Sequence, residues 1–203
     1  MTLTFYRLLA WLTRATLGRY LMITTRGAEH IPADAPFILA SNHKSTLDPI
    51  LLVAYTIAKT QLPVAPAATQ GLFVGPLGWF LRGLGAVDID RVNNRNIASV
   101  RQLLRALKQR PILIFPEGGI HAEEGLREAK EGVGFLAQHA AVPVIPVAVV
   151  GTDQSLPSGG RWIRRTRVTL IFGKPCTYET SRDYQGTADA IMKEINQLCL
   201  ASD

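Results

Sequence analysis

Six short runs of this chain are apolar at nearly every position: residues 37–40, 62–65, 86–89, 112–115, 144–150 and 168–172. They are rich in Ile, Val, Leu and Phe and lack the strict apolar–polar alternation of a strand with one wet face, so they predict strands covered on both sides. Between them the period becomes helical. Ile97, Val100, Leu104 and Leu107 recur at helical spacing, Asn93 or Asn94 offers an N-cap, and Pro111 ends the helix just before the next strand. A second helix is predicted over 128–141, stopped before Pro143, and a third carries the stripe Ile191, Ile195, Leu198 and Cys199. Strands alternating with helices predict an α/β fold: a single domain with a mostly parallel, mixed sheet flanked by helices.

The first 25 residues read differently. Phe5, Leu8, Leu9, Leu12, Leu17 and Leu21 recur at roughly helical spacing, interrupted at Ala15 and Thr16. Arg7, Arg14 and Arg19 break the run, so it is not a secretory signal with its charge ahead of an unbroken apolar region. Trp11 and Tyr20 suit a headgroup boundary and the arginines suit lipid phosphates. Residues 1–25 are therefore expected to be an amphipathic, membrane-docking helical segment ahead of an α/β domain over 26–203; a surface helix packed on the domain is the plainer alternative. The uncharged stretch 60–81 is long enough to span a bilayer, but Pro63, Pro66 and Pro76 with three glycines exclude a single lipid-exposed helix.

Composition narrows the function. A chain of 203 residues fits one domain with a sizeable core, and 47% hydrophobic residues exclude disorder. Mean hydropathy of +0.13 is high for a soluble enzyme. A formal charge of +6 favours anionic partners. Two cysteines, Cys176 and Cys199, make neither a disulfide framework nor a zinc site and suit a reducing compartment. The basic run Arg161, Arg164, Arg165 and Arg167 lacks stacking aromatics in array, so nucleic acid is not expected and the run reads as a solvated or lipid-facing patch. There is no phosphate-binding P-loop, dinucleotide fingerprint or nucleophile elbow. His121, Glu123, Glu124 and His139 match no strong metal spacing, so no metal is expected.

Chemistry concentrates at the ends of predicted strands, where α/β proteins hold ligands. After the first strand come Asn42, His43 and, five residues on, Asp48. A turn into a helix there lets the carboxylate fold back onto the imidazole, fix its tautomer and leave Nε2 free as a general base. After another strand come Phe115, Pro116, Glu117, Gly118 and Gly119, a carboxylate beside glycine amides open to a ligand. Arg91 follows Asp90 at a third strand end and carries a planar fork of donors suited to phosphate. Each has a structural alternative: a buried histidine, a solvated turn, a surface ion pair. Residues 142–147, Val-Pro-Val-Ile-Pro-Val, bear no titratable group and read as a buried strand entered through a rigid turn.

In this order and spacing, Asn42-His43…Asp48, Gly85…Asp90-Arg91, Phe115-Pro116-Glu117-Gly118 and the Val142–Val147 segment resemble the glycerolipid acyltransferase family, of the 1-acylglycerol-3-phosphate acyltransferase type, over roughly residues 25–175. The resemblance implies transfer of a fatty acyl group from acyl-CoA or acyl-carrier protein to a lysophosphatidic-acid-like hydroxyl in phospholipid biosynthesis. It implies no cofactor beyond that donor, a lipid surface as partner, and peripheral or monotopic placement on the cytoplasmic face of the membrane. It makes His43 the base and Asp48 its orienter; Asn42, Arg91 and Glu117 contact substrate, and Gly118 lies beside the phosphate or oxyanion.

Two departures bear on the acceptor. Where the family follows its glycine with Thr-Arg-Ser, this chain has Gly119-Ile120-His121, and Thr69 lies where the family has a lysine. Lys130, in a Lys-x-Gly context with Gly132, partly compensates for the missing cations and joins the expected substrate-binding set. Transfer to another lipid head group, thioester hydrolysis, and a non-catalytic lipid- or carrier-binding module are the competing readings. The apolar residues 71–74 with Leu77, Trp79, Phe80 and Leu81 read as an acyl groove, a lipid contact or plain core.

Overall fold

A computed structural model describes residues 3–69, 71, 74, 75, 78, 81, 82, 85–89, 97–121 and 125–202. The strands are β1 Thr24–Arg26, β2 Ile38–Ser41, β3 Ala65–Thr69, β4 Val87–Ile89, β5 Ile112–Ile114, β6 Val144–Val150 and β7 Thr169–Phe172. They form one sheet in the order β1-β7-β6-β2-β5-β3-β4. Every neighbouring pair is parallel except β6 with β7, so the sheet is mixed and mostly parallel.

Successive side chains of a strand point to opposite faces, and here both faces are covered. Ile38, Ala40, Ile112, Ile114 and Val144 pack beneath three helices, α3 (Ile97–Leu107), α4 (Glu131–His139) and α6 (Tyr184–Leu200). On the other face, Leu39, Leu113, Ile145, Val147 and Val149 meet Leu51 and Leu52 of α2 (Asp48–Thr56) together with Leu21, Phe37 and Phe172. This two-sided burial is why the strands read as unbroken apolar runs. A short helix, α5 (Thr152–Ser155), follows β6.

The N-terminal helix α1 (Leu3–Thr13) sets Tyr6 and Ala10 against Ala54 and Ile57 at the end of α2. It continues into a π-helical turn over Arg14–Gly18, where Gly18 packs so closely on Tyr55 that a Cβ would lie 2.5 Å from its hydroxyl. Phe5, Leu8, Trp11 and Leu12 remain exposed. The division expected at residues 25 and 26 falls inside β1.

The strands follow the apolar runs with two differences. The run 62–65 gives way to β3 at 65–69, where Pro66, which has no N–H, sits at the change of pairing from β5 to β4. β1 has no apolar signal: its three residues are exposed, and it joins the sheet edge by backbone pairing with β7. The helix expected over 128–141 occupies 131–139. Asn93 and Asn94 lie outside the described residues, as do Leu72, Phe73, Leu77, Trp79 and Phe80 of the apolar stretch.

Candidate active site

Parallel pairing of β2 with β5 and β6 brings the residues that follow β2 and β5 to one end of the sheet. Asn42 locks this junction. Its carboxamide donates to the Val149 carbonyl and accepts from the Val149 N–H, each at 2.8 Å, and the residue is 2% exposed. His43 is therefore held by a side chain that hydrogen-bonds like a strand.

The chain then turns, and Asp48 opens α2 with Pro49 behind it. A carboxylate at a helix N-terminus is favourably placed against the backbone dipoles, and proline is pre-set for the first turn. Asp48 Oδ2 accepts three hydrogen bonds: from the His43 ring at Nδ1 (2.9 Å), from the Lys44 N–H (2.7 Å) and from the Ser45 N–H (2.8 Å). Asp48 is wholly buried, while the His43 side chain is 12% exposed. Because the carboxylate oxygen accepts, Nδ1 is the donor, and in the neutral tautomer that this contact selects the lone pair lies on Nε2. Among the described residues Asp48 Oδ1 has no partner.

Residues after β5 complete the frame. The His43 ring stacks on Phe115. Glu117, 3% exposed, accepts the His43 N–H at Oε1 and the Arg127 N–H at Oε2, both at 3.0 Å. The His121 N–H donates to the His43 carbonyl at 3.1 Å. Gly118 adopts φ +80°, a conformation that favours glycine, and its N–H closes a turn onto the Phe115 carbonyl at 2.9 Å. Lys130, exposed at the N-cap of α4, runs alongside: a Cβ on Gly118 would lie 3.4 Å from Lys130 Cγ. Lys44 Nζ reaches the Gly125 carbonyl.

Asn42, His43, Asp48, Glu117, Gly118 and Lys130 thus gather at one place. Arg91 lies outside the described residues. Asn42 and both oxygens of Glu117 already serve backbone partners, whereas Gly118 is half-buried and Lys130 is exposed. The sequence marked Phe115 only as part of its motif and gave no role to Ser45, whose hydroxyl accepts the Leu47 N–H and donates to the Leu156 carbonyl. Among the described residues no cluster of His, Cys, Asp and Glu is suited to a metal ion. The Cys199 thiol near the end of α6 is pushed up to about 11, first by burial and then by the Glu117 carboxylate, with Lys44 opposing. An open cleft of about 550 Å³ between α3 and the start of β4, lined by Arg82, Asp88, Arg105 and Arg110, lies at the opposite end of the sheet.

A family model described as Acyltransferase matches residues 22–150, which span all four motifs. A 1-acyl-sn-glycerol-3-phosphate acyltransferase of Chlamydomonas reinhardtii is 30% identical over 79% of this chain and 48% of its own length. The chain belongs to the glycerolipid acyltransferase family. A second relative, the probable 1-acyl-sn-glycerol-3-phosphate acyltransferase of Mycoplasma pneumoniae, is 30% identical over 83% of the chain and 68% of its own length. Against the Chlamydomonas protein and the chloroplast relatives of Brassica napus and Arabidopsis thaliana, this acyltransferase-family chain spans about half their length. The crystal structure of the 1-acyl-sn-glycerophosphate (LPA) acyltransferase PlsC from Thermotoga maritima superposes with a TM-score of 0.75 over 99% of this chain and 80% of that one, at 23% identity, so the fold is shared. No described helix is long and apolar enough to cross a membrane.

Proposed function

We propose that this chain transfers a fatty acyl group from an acyl thioester, acyl-CoA or acyl-carrier protein, to the hydroxyl of a lysophosphatidic-acid-like lysophospholipid, a step of phospholipid biosynthesis. The observation that carries this reading is the His43–Asp48 pair: Nδ1 tied to a buried carboxylate, in a ring that keeps 12% exposure. Nε2 takes the acceptor hydroxyl's proton as that oxygen attacks the thioester carbonyl. The C–O bond forms, the C–S bond breaks, and the imidazolium returns the proton to the departing thiolate. The transfer balances without an oxidant, reductant or further cofactor. A positioned base of this kind contributes about 10²–10⁴-fold.

Gly118 and Lys130 form the rim at which the acceptor's phosphate is held, and the family resemblance adds Arg91 as an acceptor contact. Asn42 and Glu117 place His43, and the lone pairs that Glu117 retains accept substrate hydroxyls. The names of the relatives support a glycerol-phosphate acceptor. Residues 1–25 dock on lipid, and the chain works peripherally on the cytoplasmic membrane face, where acyl thioesters are available.

Thiol release from acyl-CoA, measured with and without lysophosphatidic acid, tests this. Release that depends on acceptor supports transfer. Equal release in both arms means hydrolysis, and binding without release means a non-catalytic module. A mass-spectrometric screen of acceptors with a labelled donor separates lysophosphatidic acid from other lipid heads.

A further inference from the structure

We propose that the loop between α5 and β7, residues 156–168, is a second lipid-contacting element, built to rest on an anionic phospholipid bilayer beside the His43 end of the sheet. The inference deepens the reading above, since it names the surface from which the acceptor would arrive.

The loop presents Trp162 at 83% exposure and Ile163 at 38%. Large apolar side chains held this far in water mark an interaction surface, and indole prefers the boundary between headgroups and acyl chains. Arg161, Arg164, Arg165 and Arg167 surround them, all exposed. No Asp or Glu occurs between Asp153 and Glu179, and among the described residues no ion pair engages these arginines. An apolar tip ringed by unneutralised cations is complementary to an anionic bilayer, which accepts the indole and supplies phosphates to the guanidinium groups.

The loop is also anchored. The Arg164 N–H donates to the Ser155 carbonyl and the Gly160 N–H to the Pro157 carbonyl, both at 2.8 Å. Two further bonds tie it to neighbouring elements. The Tyr20 hydroxyl, at the end of the N-terminal helical segment, donates to the Ile163 carbonyl at 3.3 Å, joining the loop to the segment that carries exposed Trp11 and Leu12. The Ser45 hydroxyl donates to the Leu156 carbonyl at 2.7 Å, while the Ser45 N–H binds the carboxylate that orients His43. The loop therefore bridges the N-terminal helix and the dyad's own turn. Two linked contacts with one bilayer also hold more tightly than either would alone.

The test is vesicle partition of the full chain, read without turnover. Vesicles of phosphatidylcholine alone are compared with vesicles containing phosphatidylglycerol, for the wild type, for Trp162→Ala, and for the triple variant Arg161→Gln/Arg164→Gln/Arg165→Gln. Each arginine contributes about fivefold, so the triple variant is expected to lose about 10²-fold on anionic vesicles and to lose its preference for them. Trp162→Ala is expected to lose about tenfold on anionic vesicles. In a Trp11→Phe/Trp79→Phe protein, brominated lipids should quench the remaining Trp162. Wild-type partition by the triple variant, absence of quenching, or a wild-type dimer that the loop variants convert to monomer would overturn the proposal. The quenching experiment leaves the loop intact, so it decides the matter even if a loop variant misfolds. Failure of acyl transfer with vesicle binding retained would sink the enzymatic reading and leave this one standing.

Discussion

The imidazole of His43 lies flat on the phenyl ring of Phe115, with centroids 3.8 Å apart and planes inclined by 14°. The register of β2 against β5 produces this contact: Ala40 pairs with Ile114, so His43 and Phe115 emerge from adjacent strands. The stack covers one face of the ring and Asp48 holds Nδ1, which leaves Nε2 as the edge proposed to take the proton. Phe115→Ala should lower kcat about tenfold while Phe115→Leu retains most of it. Acceptor-dependent thiol release with a parallel thermal melt checks this; unchanged kcat in Phe115→Ala would remove the stack from the positioning of His43.

Asp48→Asn keeps the shape but replaces an acceptor-only group by one that also donates. The imidazole is then free to invert its tautomer. We expect kcat to fall about 10²–10⁴-fold, with His43→Ala at least as severe. Asp48→Asn should also cost about 1–3 kcal/mol, because a buried acceptor of three hydrogen bonds is altered. Steady-state rates and urea denaturation measure the two effects separately.

Glu117 and Lys130 should separate kinetically. Glu117→Gln turns an amide N–H toward a backbone donor at His43 or Arg127, disturbing the base, so kcat should fall more than the acceptor KM rises. Lys130→Met removes a rim cation, so the acceptor KM should rise about tenfold with kcat little changed. A kcat left intact in Glu117→Gln, with only KM raised, would make that carboxylate a substrate contact instead.

Asn42→Ala deletes both hydrogen bonds to Val149 and leaves a buried N–H and carbonyl unpaired. A loss of about 2 kcal/mol is expected, seen as a lower urea midpoint. Stability equal to wild type would show that Asn42 is free to serve substrate.

Cys199 supplies a pH test. Its thiol rises from 9.0 to about 11 on folding, chiefly through burial. The folded state then binds this proton more tightly than the unfolded state does. The contribution is complete below pH 9 and is lost as pH rises through 11. Denaturation midpoints for wild type and Cys199→Ala should therefore converge across that window. The native thiol should also react with iodoacetamide more slowly than it does in urea.

Much of this was legible from the chain alone, through local signals. The apolar runs located β2, β5, β6 and β7, because strands covered on both faces carry no polar alternation. The ordered motifs named His43 and Asp48, since turn geometry over five residues is local. β1 was invisible: three exposed residues reach the sheet edge through backbone bonds that any side chains permit. β3 was displaced because Ala65, Pro66, Ala67 and Ala68 carry little strand preference of their own.

Residue types and spacing were enough to predict the α/β layering and a contact between His43 and Asp48, and the ordered motifs carried the family resemblance. Only the tertiary structure decided that Asn42 and Glu117 serve the backbone at Val149, His43 and Arg127, that Phe115 covers the imidazole, and that Ser45 ties the His43–Asp48 turn to the arginine loop. Those partners lie from 10 to 111 residues apart along the chain. Strand order and register bring them together, and no periodicity within a single segment encodes either.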